Sequence, residues 1–341
     1  MMTKGRAEHE RAVRGLHWSD AAIYVVGDTR SLAAGLTAAY AFEDLLGCTV
    51  VMREVSSFLS HSLGVIRAGS VVVFISGEAP EMLDATRAAA KRGAQVLAIA
   101  HASAPITAAA SLVFPLPEVG ETSGSSLVHA CLEHVALGYL AVLAARLVKR
   151  PQPALERLER EWNAVPDHLD SLSVHLADVV RTSADELRLA TSLFFVGDGY
   201  HQAAAERAAA LAQRRGSCPV IGVDLARFRC NHLPNLNPGA GVVIFSGSQS
   251  RTRKAAAEVA GEVNERGAVA LAVTGGNDHD LTRQVRLTLL VPDLLELPAS
   301  VLSVALGGWL GRELATPSRE RRLPRSVAPD SGAQGRSGHL G

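Results

Sequence analysis

Four hydroxyl side chains stand close together in the segment IFSGSQSRT, residues 244–252. They are Ser246, Ser248, Ser250 and Thr252. The segment follows the apolar run 242–245 and precedes a helix-like run, KAAAEVAGEV. A helix N-terminus offers free N–H groups and the positive end of its dipole, so the segment fits a phosphate site, with Arg251, Arg253 and Lys254 adding charge. An ordinary loop with helix-capping serines fits the local sequence equally well.

The sequence gives less support to a metal-binding site or a dinucleotide-binding site. His129, Glu133 and His134 share part of a predicted helix, but no second spaced pair completes a metal site. The segments GDTRS (27–31) and GDGYHQ (197–202) lack the G-x-G-x-x-G pattern of a dinucleotide site. We therefore predict no metal and no cofactor.

The chain repeats itself at an offset of 170 residues. Gly27-Asp28 matches Gly197-Asp198, Cys48 matches Cys218, and Ser76-Gly77 matches Ser246-Gly247. The offset then grows by four, because Arg92-Gly93-Ala94 pairs with Arg266-Gly267-Ala268. The second copy is therefore predicted to have a longer turn at the hydroxyl-rich segment.

Each copy alternates short apolar runs with helix-like segments. The runs are IYVV, TVVM, VVVFI and VLAIA in the first copy, then LFFV, PVIGV, VVIF and ALAV in the second. Runs that are apolar on both faces suit a buried parallel sheet, and the helical segments suit its crossovers. We predict an α/β fold of two three-layer α/β/α domains, 20–150 and 188–315, joined by a helical linker, 151–187. An Arg/Gly/Ser-rich tail, 316–341, follows them.

The composition excludes some classes of partner. Lys+Arg and Asp+Glu both number 34, whereas nucleic-acid binders usually carry a basic excess. The apolar run 134–148 is shorter than a membrane span, and the start of the chain lacks the apolar segment of a signal peptide. The cysteines, 48, 131, 218 and 230, lie far apart and fit reduced thiols. We therefore expect a cytoplasmic protein with no nucleic-acid or membrane partner.

The paired pattern resembles the SIS (sugar isomerase) domain used twice in tandem. It is similar to the isomerase half of glucosamine–fructose-6-phosphate aminotransferase. The resemblance covers about residues 20–327. Its supporting segments are VVGDTRS (25–31), residues 69–99, EVGETSGSS (118–126), VGDGYHQAAAE (196–206) and residues 297–327. It implies binding of a phosphorylated sugar, and many members of the family isomerise aldose and ketose phosphates or handle amino sugars.

The resemblance also implies particular binding residues. Ser31 and Ser76 match the family's phosphate-binding serines, while Gly124 and Ser126 match the loop that closes over the sugar. The family pattern Ser-Gln-Ser-Gly-Glu-Thr has become 74–79, FISGEA, which removes two hydroxyl positions. We therefore predict that the principal phosphate site has moved to Ser246–Thr252 in the second copy. The competing hypothesis keeps the phosphate in the first copy, on backbone N–H groups around Ser76 and the loop 121–126.

Catalytic candidates are sparse. The segment RFRCNHLPNL keeps the histidine of a short family motif as His232, and Glu121 in the closing loop is our alternative base. The family's base position falls on Arg214 or Arg215, and its lysine position falls on Arg325. Arginine stays protonated, so it is a poor base but can grip a phosphate. Two functions therefore remain open: a sugar-phosphate isomerase or amino-sugar-phosphate enzyme with a rearranged site, or a non-catalytic phosphosugar sensor or partner subunit. We also expect a homodimer.

Overall fold

A computed structural model describes residues 6–18, 22–76, 79–120, 125–148, 155–215 and 218–316. Its strands are β1 Ile23–Gly27, β2 Val50–Glu54, β3 Val71–Ile75, β4 Gln95–His101, β5 Leu112–Leu116, β6 Ser192–Gly197, β7 Val220–Asp224, β8 Ala240–Phe245, β9 Val269–Gly275 and β10 Leu287–Val291. Its helices are α1 Arg6–Arg14, α2 Leu32–Leu46, α3 Val55–Ser57, α4 Pro80–Lys91, α5 Ser125–Leu147, α6 Leu155–Asn163, α7 Val165–His175, α8 Ala177–Leu187, α9 Gln202–Ala212, α10 Leu225–Arg227, α11 Arg253–Glu265, α12 His279–Thr282 and α13 Glu296–Ala315.

The strands form two parallel five-stranded sheets. The first has the order β2-β1-β3-β4-β5, and the second has the matching order β7-β6-β8-β9-β10. Each predicted apolar run overlaps a strand, so the α/β prediction is confirmed. The sequence analysis did not identify the edge strands β5 and β10. β5 carries Pro115, which cannot donate to a ladder and is tolerated at a sheet edge.

The repeat extends to irregular backbone. After β2 the chain passes through α3, a π-helical turn at Phe58–Ser62 and a 3-10 turn. After β7 it passes through α10, a π-helical turn at Phe228–His232 and a 3-10 turn, again at an offset of 170. A carboxylate caps the short helix in both copies, Glu54 in the first and Asp224 in the second. The two halves thus share their loop geometry as well as their strand order.

Within the described residues, helices α2, α5, α9 and α13 lie between the two sheets. α2 packs against α5 and α9, and α13 packs against α9, α8 and α5. One cluster of buried side chains joins the inner faces of both sheets through these helices, while two further clusters lie on the outer faces. Within α5, Leu127–Leu147 is long and apolar enough to cross a membrane, but 67% of it is buried inside the fold. This packing identifies α5 as a core helix.

This architecture brings the polar turns to the carboxyl edges of the sheets. In the first sheet, β1 ends at Gly27, β3 at Ile75 and β4 at His101. In the second, β6 ends at Gly197 and β8 at Phe245. The central pairs, β1 with β3 and β6 with β8, are the switch points of the strand order, where open parallel sheets bind ligands.

Candidate functional site

The turn after β1 holds Ser31 against Asp28. Ser31 stands at the N-cap of α2 and is 1% exposed. Its Oγ donates to Asp28 Oδ1 at 2.8 Å, and the backbone N–H groups of Arg30 and Ser31 donate to the same oxygen. Burial alone would raise the pKa of Asp28, but these hydrogen bonds outweigh it and hold the pKa below its ordinary value. The Ser31 hydroxyl has already donated its proton, so toward a ligand it can only accept a hydrogen bond.

Ser76 follows β3 in a strained conformation. Its φ is 72°, in the left-handed region that residues other than glycine seldom occupy. Its N–H donates to the carbonyl oxygen of Ile99 at 2.8 Å, which fixes the turn to β4. Its Oγ lies 3.4 Å from His129 Nε2. The strained serine is therefore held at the switch point with its hydroxyl beside an imidazole.

A chain of three titratable side chains begins at that imidazole. His129 Nε2 lies 3.2 Å from Glu133 Oε1, one turn further along α5. His129 Nδ1 lies 3.0 Å from Nε2 of His101, the last residue of β4. The side chain of His129 is 24% exposed, whereas that of Glu133 is 5% exposed. His129 thus stands between His101 and Glu133 and is more exposed than the carboxylate of Glu133.

Guanidinium groups from both halves interact near Glu133. Arg207 projects from α9 of the second half and interacts electrostatically with Glu133 on α5. Burial lowers the pKa of Arg207, the Glu133 carboxylate partly offsets this, and Arg214 and Arg30 lower it further. Arg30 also pairs with Asp28 at 3.4 Å. Three arginines, Arg30 of the first half and Arg207 and Arg214 of the second, are therefore close enough to influence one another.

The hydroxyl-rich turn of the second half is longer, as predicted. It occupies 246–252 between β8 and α11, whereas 76–79 connects β3 and α4. Ser250 Oγ lies 3.1 Å from Thr252 Oγ1, and it also bonds the carboxylate of Glu296 on α13. The side chains of Ser248 and Asp293 both reach the space above Gly275. The turn hydroxyls thus face one another and two carboxylates.

Two buried polar atoms in the turns after β6 and β8 lack a hydrogen-bond partner among the described residues. They are Nε2 of His201, which is fully buried, and Oγ of Ser246, which is 2% exposed. His201 corresponds to Ser31 at the repeat offset, and its Nδ1 lies 3.2 Å from Ser303 Oγ. A Cβ at Gly247 would stand 2.9 Å from His201 Nε2, so the imidazole packs directly against that glycine. The close packing leaves no space for a ligand between His201 and Gly247.

The second-half turns also contact the first half. Tyr200 donates from its hydroxyl to Asp44 Oδ2 and to the carbonyl oxygen of Tyr40, both at 3.1 Å. Arg251 pairs with Asp44 Oδ1 at 3.2 Å. Arg251 is therefore engaged with α2 and does not contribute an uncompensated charge to its own turn.

His232 lies apart from both groups of residues within one chain. Its ring contacts Phe194 and Phe228, at centroid separations of 5.2 and 6.3 Å. Phe194 precedes the carboxyl end of β6 by three residues, or about 10 Å of strand. A catalytic role for His232 stays a prediction, and it would require a site formed with another copy of the chain.

Several predicted site residues lie outside the described part of the chain. These are Glu121, Gly124 and Arg325, together with the side chain of Ser126. Their binding and catalytic roles stay predictions.

Sequence reasoning missed the chain of His101, His129 and Glu133 as a unit. The i, i+4 spacing of His129 and Glu133 was visible and was considered only for metal binding. His101 directly follows the predicted strand VLAIA, and a polar residue at the carboxyl end of a strand was the signal that could have identified it. The packing of α5 beside β4, which joins the three side chains, is a tertiary feature.

The family model described as SIS domain matches the chain twice, over 17–144 and 186–303. Glutamine–fructose-6-phosphate aminotransferase (isomerizing) of Thermococcus kodakarensis is 25% identical over 323 residues, covering 90% of this chain and 52% of the relative. The same enzyme of Clostridium tetani is 22% identical, covering 83% and 46%. The chain thus spans about half the length of the curated relatives it matches.

Solved structures share the fold. The C-terminal domain of glucosamine-fructose-6-phosphate aminotransferase from Francisella tularensis has a TM-score of 0.76 at 15% identity, covering 90% of this chain and 86% of that one. Tagatose-6-phosphate ketose/aldose isomerase from Escherichia coli has a TM-score of 0.71 at 15% identity, covering 92% and 88%. At such identities the likeness establishes architecture, and function must be argued from the site.

Proposed function

The chain belongs to the SIS domain family, and from that premise we propose that it is a sugar-phosphate isomerase whose reaction site lies at the carboxyl edge of the first sheet. The observation that carries the proposal is the convergence there of arginines, a strained serine and a hydrogen-bonded histidine. Arginine holds phosphate in forked geometry, a serine hydroxyl donates to oxygen, and an imidazole moves protons near neutral pH. All three meet at a switch point of the strand order.

The electrostatics of the two halves favour the first half for the phosphate. Among the described residues, Arg30 pairs with Asp28 of the first half, and Arg207 of the second half interacts with Glu133, Arg214 and Arg30. At the second-half turn, by contrast, Ser250 contacts Glu296 and Ser248 lies beside Asp293. Those carboxylates would repel a phosphate, and Arg253, which donates to the Ser248 carbonyl oxygen and lies 4.0 Å from Asp278, offsets this only in part. These contacts support the competing hypothesis of the sequence analysis over relocation to Ser246–Thr252.

One observation favours a non-catalytic role instead. The base position implied by the family resemblance is arginine in this chain, and Arg214 is exposed beside Arg207. A side chain that stays protonated cannot accept the substrate's proton. A phosphosugar sensor or partner subunit is therefore the second candidate, and turnover distinguishes the two roles.

Thermal denaturation tests the ligand class. Fructose 6-phosphate and glucosamine 6-phosphate are expected to raise the unfolding temperature, because ligand at a hundred times its Kd stabilises the fold by about 2.7 kcal/mol. Free fructose and glucosamine at the same concentrations should leave the temperature nearly unchanged. Equal shifts for a sugar and its phosphate would contradict the proposal.

We also expect a homodimer, as in the sequence analysis. The long helix α13 contributes little to such an interface, because most of it is buried within its own chain. The loop containing His232 is more accessible to a second chain than α13 is, and Cys230 in the same turn is exposed. Light scattering at micromolar concentration should give twice the mass of the chain, and a monomeric mass would refute the dimer.

A further inference from the structure

We propose that His129 is a positioning residue that makes the hydroxyl of Ser76 a hydrogen-bond donor to the phosphate of the ligand. Glu133 and His101 set the tautomer of His129 and thereby decide which way the serine proton points. The inference rests on the proposed function and deepens it, because it identifies what directs a donor at the first-half site.

Ser76 stands where a ligand of the first sheet is expected. It is half-buried and follows β3, which pairs with β1 at the switch point. Its φ of 72° is a conformation that residues other than glycine seldom adopt and that concentrates at binding and catalytic sites. Its N–H is committed to the carbonyl oxygen of Ile99 at 2.8 Å. The hydroxyl proton is therefore what Ser76 can donate to a ligand.

The direction of that proton depends on Nε2 of His129, which lies 3.4 Å from Ser76 Oγ. An unprotonated Nε2 would accept the serine proton, and a ligand would then meet only the lone pairs of Oγ. A protonated Nε2 donates to Oγ instead, which leaves the serine proton available to an incoming oxygen atom. The tautomer of His129 therefore decides whether Ser76 can donate to an anion.

Glu133 and His101 select the tautomer with a proton on Nε2. Glu133 Oε1 lies 3.2 Å from His129 Nε2, and a carboxylate can only accept, so the proton between them belongs to the imidazole. On the other side of the ring, His101 Nε2 lies 3.0 Å from His129 Nδ1. His101 Nδ1 is buried without a hydrogen-bond partner among the described residues, which suits a lone pair better than an N–H. His101 Nε2 therefore carries the proton and donates to His129 Nδ1.

Neither Ser31 nor Ser246 offers a ligand such a donor. The Oγ of Ser31 donates to Asp28 Oδ1 at 2.8 Å, so it presents only lone pairs. Ser246 corresponds to Ser76 at the repeat offset but is 2% exposed, so a ligand cannot reach its hydroxyl. The side chain of His129 is 24% exposed, so its ring reaches the surface beside Ser76. Of the three serines, Ser76 is the one whose proton is both directed and reachable.

This arrangement selects the chemical class of the group that binds at Ser76. An ammonium group can only donate, so it would meet the serine proton as a second donor. A phosphate oxygen accepts that proton, and hydrogen bonds to a charged acceptor are stronger than those to a neutral one. Arg207 lies on the other side of the imidazole–carboxylate pair, where it interacts with Glu133 and adds positive charge. The group at Ser76 is therefore an oxyanion.

A double-mutant cycle tests the role, with calorimetry measuring Kd for fructose 6-phosphate and circular dichroism confirming that each variant is folded. Ser76→Ala should raise Kd at least about tenfold, because a hydrogen bond to a charged group is lost. His129→Leu removes the N–H that directs the hydroxyl and should raise Kd about three- to tenfold. In the Ser76→Ala background it should add less than about twofold, because His129 acts through that hydroxyl. His61→Leu, at an exposed position in the same half, should leave Kd unchanged.

His129→Gln gives a readout that loss of packing alone would not. Its amide Nε2 stands where the imidazole Nε2 stood and keeps an N–H, so the affinity should recover to within about twofold of the unaltered chain. In addition, ¹⁵N NMR of the unaltered chain near neutral pH should show His129 protonated at Nε2 and unprotonated at Nδ1.

Three results would each overturn the positioning role while leaving phosphosugar binding intact. They are additive effects of the two replacements, a glutamine variant as weak as the leucine variant, and a His129 protonated at Nδ1 alone. If the unaltered chain binds neither fructose 6-phosphate nor glucosamine 6-phosphate, the proposed function is overturned together with the role of His129.

Discussion

Replacing Arg207 with glutamine is expected to weaken binding of fructose 6-phosphate at least tenfold, whereas Ser248→Ala combined with Ser250→Ala leaves it within threefold. A hydrogen bond to a charged group contributes about 1.5–3 kcal/mol, which corresponds to roughly 10- to 150-fold in Kd. Arg207 lies at the first-half site beside Glu133. The hydroxyl of Ser250 is engaged with Thr252 and Glu296, so its removal costs the ligand little.

Calorimetric titration of both variants measures these affinities, with circular dichroism to confirm that each is folded. Arg283→Gln, at an exposed position in the second half, is the matched control and should bind normally. The reverse pattern, with the double serine variant impaired and Arg207→Gln normal, would place the phosphate at Ser246–Thr252. The result therefore decides between the two hypotheses that the sequence left open.

The free energy of unfolding is expected to fall steeply as the pH drops below about 6.5, the ordinary histidine value. Burial lowers the pKa of His134 to about 3 and that of His201 to about 4. Both imidazoles therefore stay neutral in the folded chain at pH values at which they are protonated in the unfolded chain. The unfolded state then binds more protons, so stability is present above that pH and is lost as the pH falls toward the folded values. Two such groups lower the free energy of unfolding by about 3 kcal/mol for each pH unit below that value.

Urea denaturation between pH 7 and pH 5 measures this slope. Glu206 and Glu296 act in the opposite sense, because burial raises their pKa values and the folded state then retains protons that the unfolded carboxylates lose. The histidine contribution is therefore isolated with His134→Gln, which should make the slope shallower by about 1.4 kcal/mol per pH unit. His279→Gln, at an exposed position, should not change it. A stability that is flat or rises toward pH 5 would contradict the prediction.

The sequence by itself determined the repeated architecture. Apolar runs such as VVVFI and LFFV read as buried parallel strands, and β3 and β6 formed there. Pro80 is the first residue of α4, a position that suits its fixed φ. The offset between the copies predicted the longer turn before α11. These features depend on side-chain patterning within a few residues, or on self-similarity, and both are visible in a linear chain.

Only the tertiary structure decided which polar residues act together. The hydroxyl of Ser250 faces a carboxylate from α13. His101 and His129 meet because α5 packs beside the end of β4. The hydrogen bonds and charges that determine what a serine or histidine can do reach only a few ångströms, and here they come from elements tens of residues away in sequence. The type and local spacing of a residue therefore made it a candidate for the site, while the neighbours that packing placed around it determined what chemistry it can perform.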